Sequence, residues 1–238
     1  MKNNKIIIIA VLVLIIATAG FWYLEKNKDK NKDQTSFLTG FTMLDDEKSL
    51  VWSESIALGD ETRALFEKKL VETKAELAAA KEKDQLLAAY NNLAIYEKYL
   101  GNYREAYDAY IESLKLQSGA RVSWQNFADV LLKMKAFKSA EMAYKKAIEL
   151  NKYIPESYVK LADYYKALNN DDLVEATYKL AIETIKQSYE SDTLILIDYA
   201  EWLAAKGRNE DAVKIYEELI IKQPNNKEAI ERKMEKLK

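Results

Sequence analysis

The sequence predicts an all-α fold: a solenoid of stacked antiparallel helix pairs preceded by one N-terminal transmembrane helix. Three observations carry this prediction. Side chains recur with a period of 34 residues, only 6 Gly and 2 Pro occur among 238 residues, and residues 6–24 hold no charge. A period of this length is that of one helix pair, and scarce Gly and Pro starve β-turns while favouring long helices.

The uncharged run comes first in the chain. At about 1.5 Å rise per residue it nearly spans a hydrocarbon core of about 30 Å, so residues 1–25 read as a membrane anchor. Phe21, Trp22 and Tyr23 stand at its far end, where amphipathic rings favour the headgroup layer, and Glu25 and Lys26 stop it. A cleavable signal peptide is the alternative, because Lys2 and Lys5 precede the run and Ala17, Thr18 and Ala19 resemble a cleavage site. Lys26, Lys28, Lys30 and Lys32 favour a cytoplasmic C-terminal side, whereas the very short N-terminal tail favours translocation of the chain beyond the helix. The expected protein is a single-pass membrane protein with its folded part outside the cytoplasm.

Residues 26–43 read as a solvated tether, since Lys, Asn and Asp alternate over 26–33 with nothing apolar to bury. The next segment, 44–86, reads as helical, with one helix from Glu47 to Leu58 and another from Asp60 to Lys83. Gly59 and Asp60 supply the break and cap, and Phe66, Leu70, Leu77 and Ala78 share a face.

Four units come next over 87–226, at 87–120, 121–154, 155–192 and 193–226, and 227–238 forms a capping helix. Tyr90, Trp124 and Tyr158 are spaced by 34, as are Ala94, Ala128 and Ala162, and Tyr110, Tyr144 and Tyr178. The first unit has Tyr90, Leu93, Ala94, Gly101, Tyr103, Ala106 and Tyr110. In the second, Trp124, Phe127, Ala128, Lys135, Phe137, Ala140 and Tyr144 stand in the same places. The third keeps Tyr158, Leu161, Ala162, Tyr178 and Ala181 but has Asn169 at the turn, and the fourth, with Tyr199, Ala200, Gly207, Ala212 and Tyr216, starts four residues late. Small residues let helices approach and rings fill the space between them, so the Tyr stripe and Trp124 read as core.

This order of residues resembles the tetratricopeptide-repeat (TPR) family, over residues 87–238. The resemblance implies that the first helix of each pair lines a concave groove that receives a peptide or partner helix. On that face stand Asn91, Ile95, Gln125, Asn126, Asp129, Lys160, Asp163, Asp198 and Glu201. The carboxylate-clamp members of the family hold an anionic C-terminus. Here Asn126 and Lys160 match them, but Asn91, Ile95 and Glu156 depart, so with Asp163, Asp198 and Glu201 nearby a basic or neutral peptide is the expected ligand.

Composition narrows the function classes. With no Cys and no His, thiolate and imidazole chemistry, disulfides and ordinary zinc sites are excluded. Paired carboxylates, phosphate-binding glycine loops and Ser-Lys dyads have no convincing context, so no enzyme activity, cofactor or metal is expected. Residues 1–33 carry a net charge of +3 and the remainder −5, and such an acidic body lacks the basic stripe that nucleic acid requires. The expected partners are other proteins or peptides, with the membrane reached through the N-terminal helix. The expected role is a tethered scaffold in envelope protein assembly or secretion. A cytoplasmic-facing adaptor and an accessory subunit of an enzyme complex are the alternatives.

Overall fold

The computed structural model describes residues 41–188 and 191–237. The expected transmembrane helix and the tether up to residue 40 lie outside the described residues. The chain divides into two units after Thr42, and the repeats belong to the unit that begins at Met43. Among the described residues there is no strand, and no helix is long and apolar enough to cross a membrane.

Ten helices make up this unit among the described residues: α1 (Asp60–Ala79), α2 (Lys83–Leu100), α3 (Tyr103–Leu116), α4 (Arg121–Lys133), α5 (Phe137–Leu150), α6 (Pro155–Ala167), α7 (Asp171–Ile185), α8 (Thr193–Ala205), α9 (Asn209–Lys222) and α10 (Lys227–Glu235). The pairs α2/α3, α4/α5, α6/α7 and α8/α9 are each joined by a tight turn. One left-handed residue makes that turn in every pair: Gly101, Lys135, Asn169 and Gly207, at φ 86°, 61°, 54° and 73°. Asn169 therefore turns the chain as the glycines do, consistent with the tolerance of asparagine for this conformation. The four extra residues of the third unit divide between its second helix, with 15 residues against 14 in α3, α5 and α9, and a longer connection before Thr193.

Packing follows the repeat. Ala94, Ala128, Ala162 and Ala200 are inaccessible, as are Ala106, Ala140, Ala181 and Ala212, so the helices meet at their small residues. Tyr103, Tyr110, Phe127, Tyr144 and Tyr178 fill the space between, and Trp124 is 1% exposed with its Nε1 donating to the Ser118 carbonyl at 2.7 Å. Full burial of one such ring stabilises by about 2 to 3 kcal/mol. Tyr90 departs from its row and is only half-buried, because a single helix, not a pair, precedes the first unit.

That helix is α1, which packs on α2. Phe66 stacks on Tyr99 with centroids 5.2 Å apart, and Lys74 reaches Glu97 at 2.9 Å. Glu97 is buried and also accepts the Asn102 amide at 2.7 Å, so its charge is compensated. Ala78 is exposed and not on the packed face, where Thr73 is buried instead. The helix ends at Ala79 and not at Lys83, because Glu82 and Gln85 form a capping box that opens α2. At its start Gly59 is the cap residue, with its carbonyl taking the Arg63 N–H, and Asp60 is already helical.

The expected helix from Glu47 to Leu58 is replaced by one 3-10 turn, Glu47–Ser49, and an extended strap. Val51, Ser53, Ser55 and Ile56 form helix poorly, and the turns of the first two pairs offer the strap backbone partners. Val51 N–H donates to the Met134 carbonyl at 2.9 Å and Glu54 N–H to Gly101 at 2.9 Å, while Arg104 N–H donates to the Trp52 carbonyl at 3.0 Å. Asp45 accepts the first-turn N–H groups of Lys138 and Ser139 in α5, and Glu54 accepts Tyr103 OH at 2.8 Å. The Arg104 guanidinium lies 3.3 Å from the Trp52 ring centroid.

A second set of polar ties repeats with the period. Tyr165 OH donates to Glu141 at 2.7 Å, and 34 residues later Tyr199 OH donates to Glu175 at 3.1 Å. Glu175 also takes Arg208 at 2.6 Å and Lys179 at 2.8 Å, and these bonds, Arg208 foremost, hold its carboxyl down at about 2.

Candidate protein-interaction face

First helices touch one another along the row, α2 with α4, α4 with α6 and α6 with α8, whereas no second helix contacts another among the described residues. The row therefore bends with the first helices on its inner side. All nine residues singled out in the sequence lie on these first helices, and the structure ties most of them to the neighbouring helix.

Asn91 on α2 donates to its own Leu87 carbonyl at 2.8 Å and accepts Ser123 OH of α4 at 2.9 Å. Gln125 is buried, accepts Arg121 and donates to Ser157 of α6 at 3.3 Å. Asn126 is half-buried beside the Tyr110 hydroxyl, and Ile95 is half-buried on α2. Asp129 accepts Tyr144 OH at 2.5 Å on one oxygen and Lys160 at 3.2 Å on the other. Asp163 and Asp198 bracket Lys166 at 3.0 and 3.1 Å, and Asp198 also accepts Tyr178 OH at 2.5 Å. Glu201 pairs with Lys233 of α10. Burial, followed by the facing aspartates, pushes the phenols of Tyr144 and Tyr178 far up, so both stay protonated donors.

Asp163, Asp198 and Glu201, from which the sequence suggested a basic or neutral peptide, each meet a lysine in the structure. Lys166 answers the two aspartates from within the first helices, and Lys233 answers Glu201 from the capping helix. Between the polar ties lie apolar side chains: Val122 and Leu194 are exposed, as is Tyr99, and Val159 and Ile197 are half-buried. Sequence reasoning missed Lys98, Arg121, Val122, Lys133, Lys166 and Lys233. The signal was present for one pair, since Lys98 and Lys166 stand two periods apart and each meets an aspartate on the next first helix.

Residues 68–238 match the family model described as PRP39 N-terminal HAT repeat. The chain is a HAT-repeat protein. Its fold is TPR-like, so the TPR resemblance of the sequence holds for the helix-pair architecture, while the family matched is the HAT repeat. Among solved structures, this HAT-repeat chain is similar to the crystal structure of MamA at 19% identity, over 73% of this chain and 98% of that one, with a TM-score of 0.50. A tetratricopeptide repeat protein from Parabacteroides merdae gives 17% identity, 74% and 72% coverage and a TM-score of 0.46. YrrB, titled a TPR protein with an unusual peptide-binding site, gives 19% identity, 67% and 75% coverage and a TM-score of 0.41. No curated protein matches the sequence. Among the described residues no cluster of carboxylates could hold a metal ion.

Proposed function

We propose that this protein is an interaction scaffold that binds a peptide or partner protein along the inner face of its first helices. The observation that carries the reading is the composition of that face. Exposed Tyr99, Val122 and Leu194 alternate with side chains already fixed by inter-helix bonds, so a partner meets apolar anchors on a pre-ordered polar frame. A photo-crosslinking residue placed at Val122 or Leu194 is expected to capture partner protein in cells. The same residue at Leu173 or Leu180, exposed on the second helix α7, is expected to capture none. Adducts only from α7 would overturn the reading.

The uncharged run over 6–24, closed by Phe21, Trp22 and Tyr23, supports a tethered scaffold, which we place outside the cytoplasm in envelope protein assembly or secretion. The four lysines after the run support the competing cytoplasmic adaptor. A single Cys at Ser36, in a chain with no other, decides between them with a membrane-impermeant thiol reagent on intact cells. Labelling without opening the cells supports export; labelling only after opening supports the adaptor.

A further inference from the structure

Where α2, α4 and α6 meet on the inner face, cations outnumber carboxylates. Lys98 Nζ and Lys160 Nζ lie 4.0 and 3.2 Å from one and the same oxygen, Asp129 Oδ2. The other oxygen is occupied by Tyr144 OH at 2.5 Å. Lys133, one turn beyond Asp129 on α4, adds a third positive charge to the field at Lys98. The Lys98 side chain is only 13% exposed, and among the described residues its ammonium has no hydrogen bond, just the 4.0 Å approach to Asp129 and the Tyr99 ring at 4.7 Å.

An ammonium withdrawn from water without an acceptor is costly, and like charges beside it raise the cost. Burial first, then Lys160 and Lys133, push the Lys98 ammonium below its usual range against the pull of Asp129. The far half of the face is the reverse, with Asp163 and Asp198 sharing Lys166 and Glu201 matched by Lys233. Three cations to one carboxylate at one end therefore face three carboxylates to two cations further along.

We propose that this junction is an anion subsite in which Lys98, Lys133 and Lys160 hold a carboxylate of an acidic peptide segment. The proposal rests on the inner face being the protein-binding face, and it replaces the basic or neutral ligand expected from the sequence. A bound carboxylate supplies the acceptor that Lys98 lacks and separates three like charges. Tyr99, next to Lys98, and Ile95, one turn before it on α2, give apolar contact to the peptide around that carboxylate. A free inorganic anion gains nothing from them.

The test titrates the full chain, purified in a neutral detergent, with labelled decapeptides that share two leucines and are otherwise Glu-rich, Ser-rich or Lys-rich. The Glu-rich peptide is expected to bind tightest and to weaken as salt rises. Lys98→Gln and Lys160→Gln are each expected to weaken it by about tenfold, with Lys98→Arg restoring most of the loss. Lys133→Glu, at an exposed position, is expected to weaken the Glu-rich peptide and strengthen the Lys-rich one. Unchanged affinity in all three lysine variants overturns the subsite. Tighter binding of the Ser-rich or Lys-rich peptide also overturns it but leaves the protein-binding face standing, and binding of none overturns both. Inorganic phosphate that displaces the Glu-rich peptide at micromolar concentration assigns the site to phosphate and overturns the peptide proposal.

Discussion

Replacing Gly101 and Gly207 by alanine separates backbone strain from the role of the strap. Both glycines are left-handed turn residues, at φ 86° and 73°. An added Cβ at Gly207 meets nothing within 4 Å, so Gly207→Ala carries conformational strain alone, about 1 kcal/mol. At Gly101 the same Cβ would lie 2.0 Å from the Glu54 carbonyl oxygen and 3.1 Å from Ile56 Cγ1, so the strap must move away. Three hydrogen bonds go with it, Glu54 N–H to Gly101, Arg104 N–H to Trp52 and Tyr103 OH to Glu54. At about 1 kcal/mol each, they bring the expected loss for Gly101→Ala to about 4 kcal/mol. Urea unfolding of the full chain, monitored by circular dichroism, measures both variants. A cycle with Trp52→Ala adds a second check: once Gly101→Ala has displaced the strap, removing the Trp52 ring should cost less than about 0.5 kcal/mol more. Equal losses in Gly101→Ala and Gly207→Ala, or full additivity with Trp52→Ala, would refute the strap as a stabilising element.

Three further outcomes are expected from the packing and charges. Trp124→Ala should cost about 3 to 5 kcal/mol, because the ring is 1% exposed and fills the space between pairs; a loss well under 1 kcal/mol in urea unfolding would place it outside the core. Lys135→Gly should stabilise by about 0.5 to 1 kcal/mol, since the lysine is exposed and held at φ 61°, and a lower urea midpoint would contradict the strain argument. The Glu175 carboxyl is depressed from 4.5 to about 2 in the folded chain, so its contribution is present above pH 4.5 and is lost as pH falls towards 2. Glu175→Gln should therefore cost about 1 to 2 kcal/mol near neutrality and flatten the acid decline in that window, as read from urea midpoints against pH.

The repeat was legible because its signal is steric and periodic. An alanine such as Ala128 is inaccessible for the same reason its counterparts 34 residues away are, and Pro155 opens α6 because its missing N–H is one that a helix start leaves unpaired. The strap was not legible. Its hydrogen bonds reach Gly101 and Met134, tens of residues distant, and a composition that permits helix says nothing of such backbone partners. On the inner face the positions of Asn91, Asp129, Asp163 and Asp198 were readable, but not their pairing. Whether Asp198 is free or answered by Lys166 depends on how far α6 leans on α8, which the period alone does not state. Contact by contact, the face carries a small excess of carboxylates around Lys166 and an excess of cations around Asp129.

The inner face is the proposed seat of the partner. Peptides selected for binding to the purified full chain, then mapped by amide chemical shifts, test it most directly. Shifts are expected on first-helix residues such as Ile95, Val122, Asn126 and Leu194, with Leu173, Ala176 and Leu180 of α7 unmoved. Shifts confined to α7 and the other second helices would contradict it.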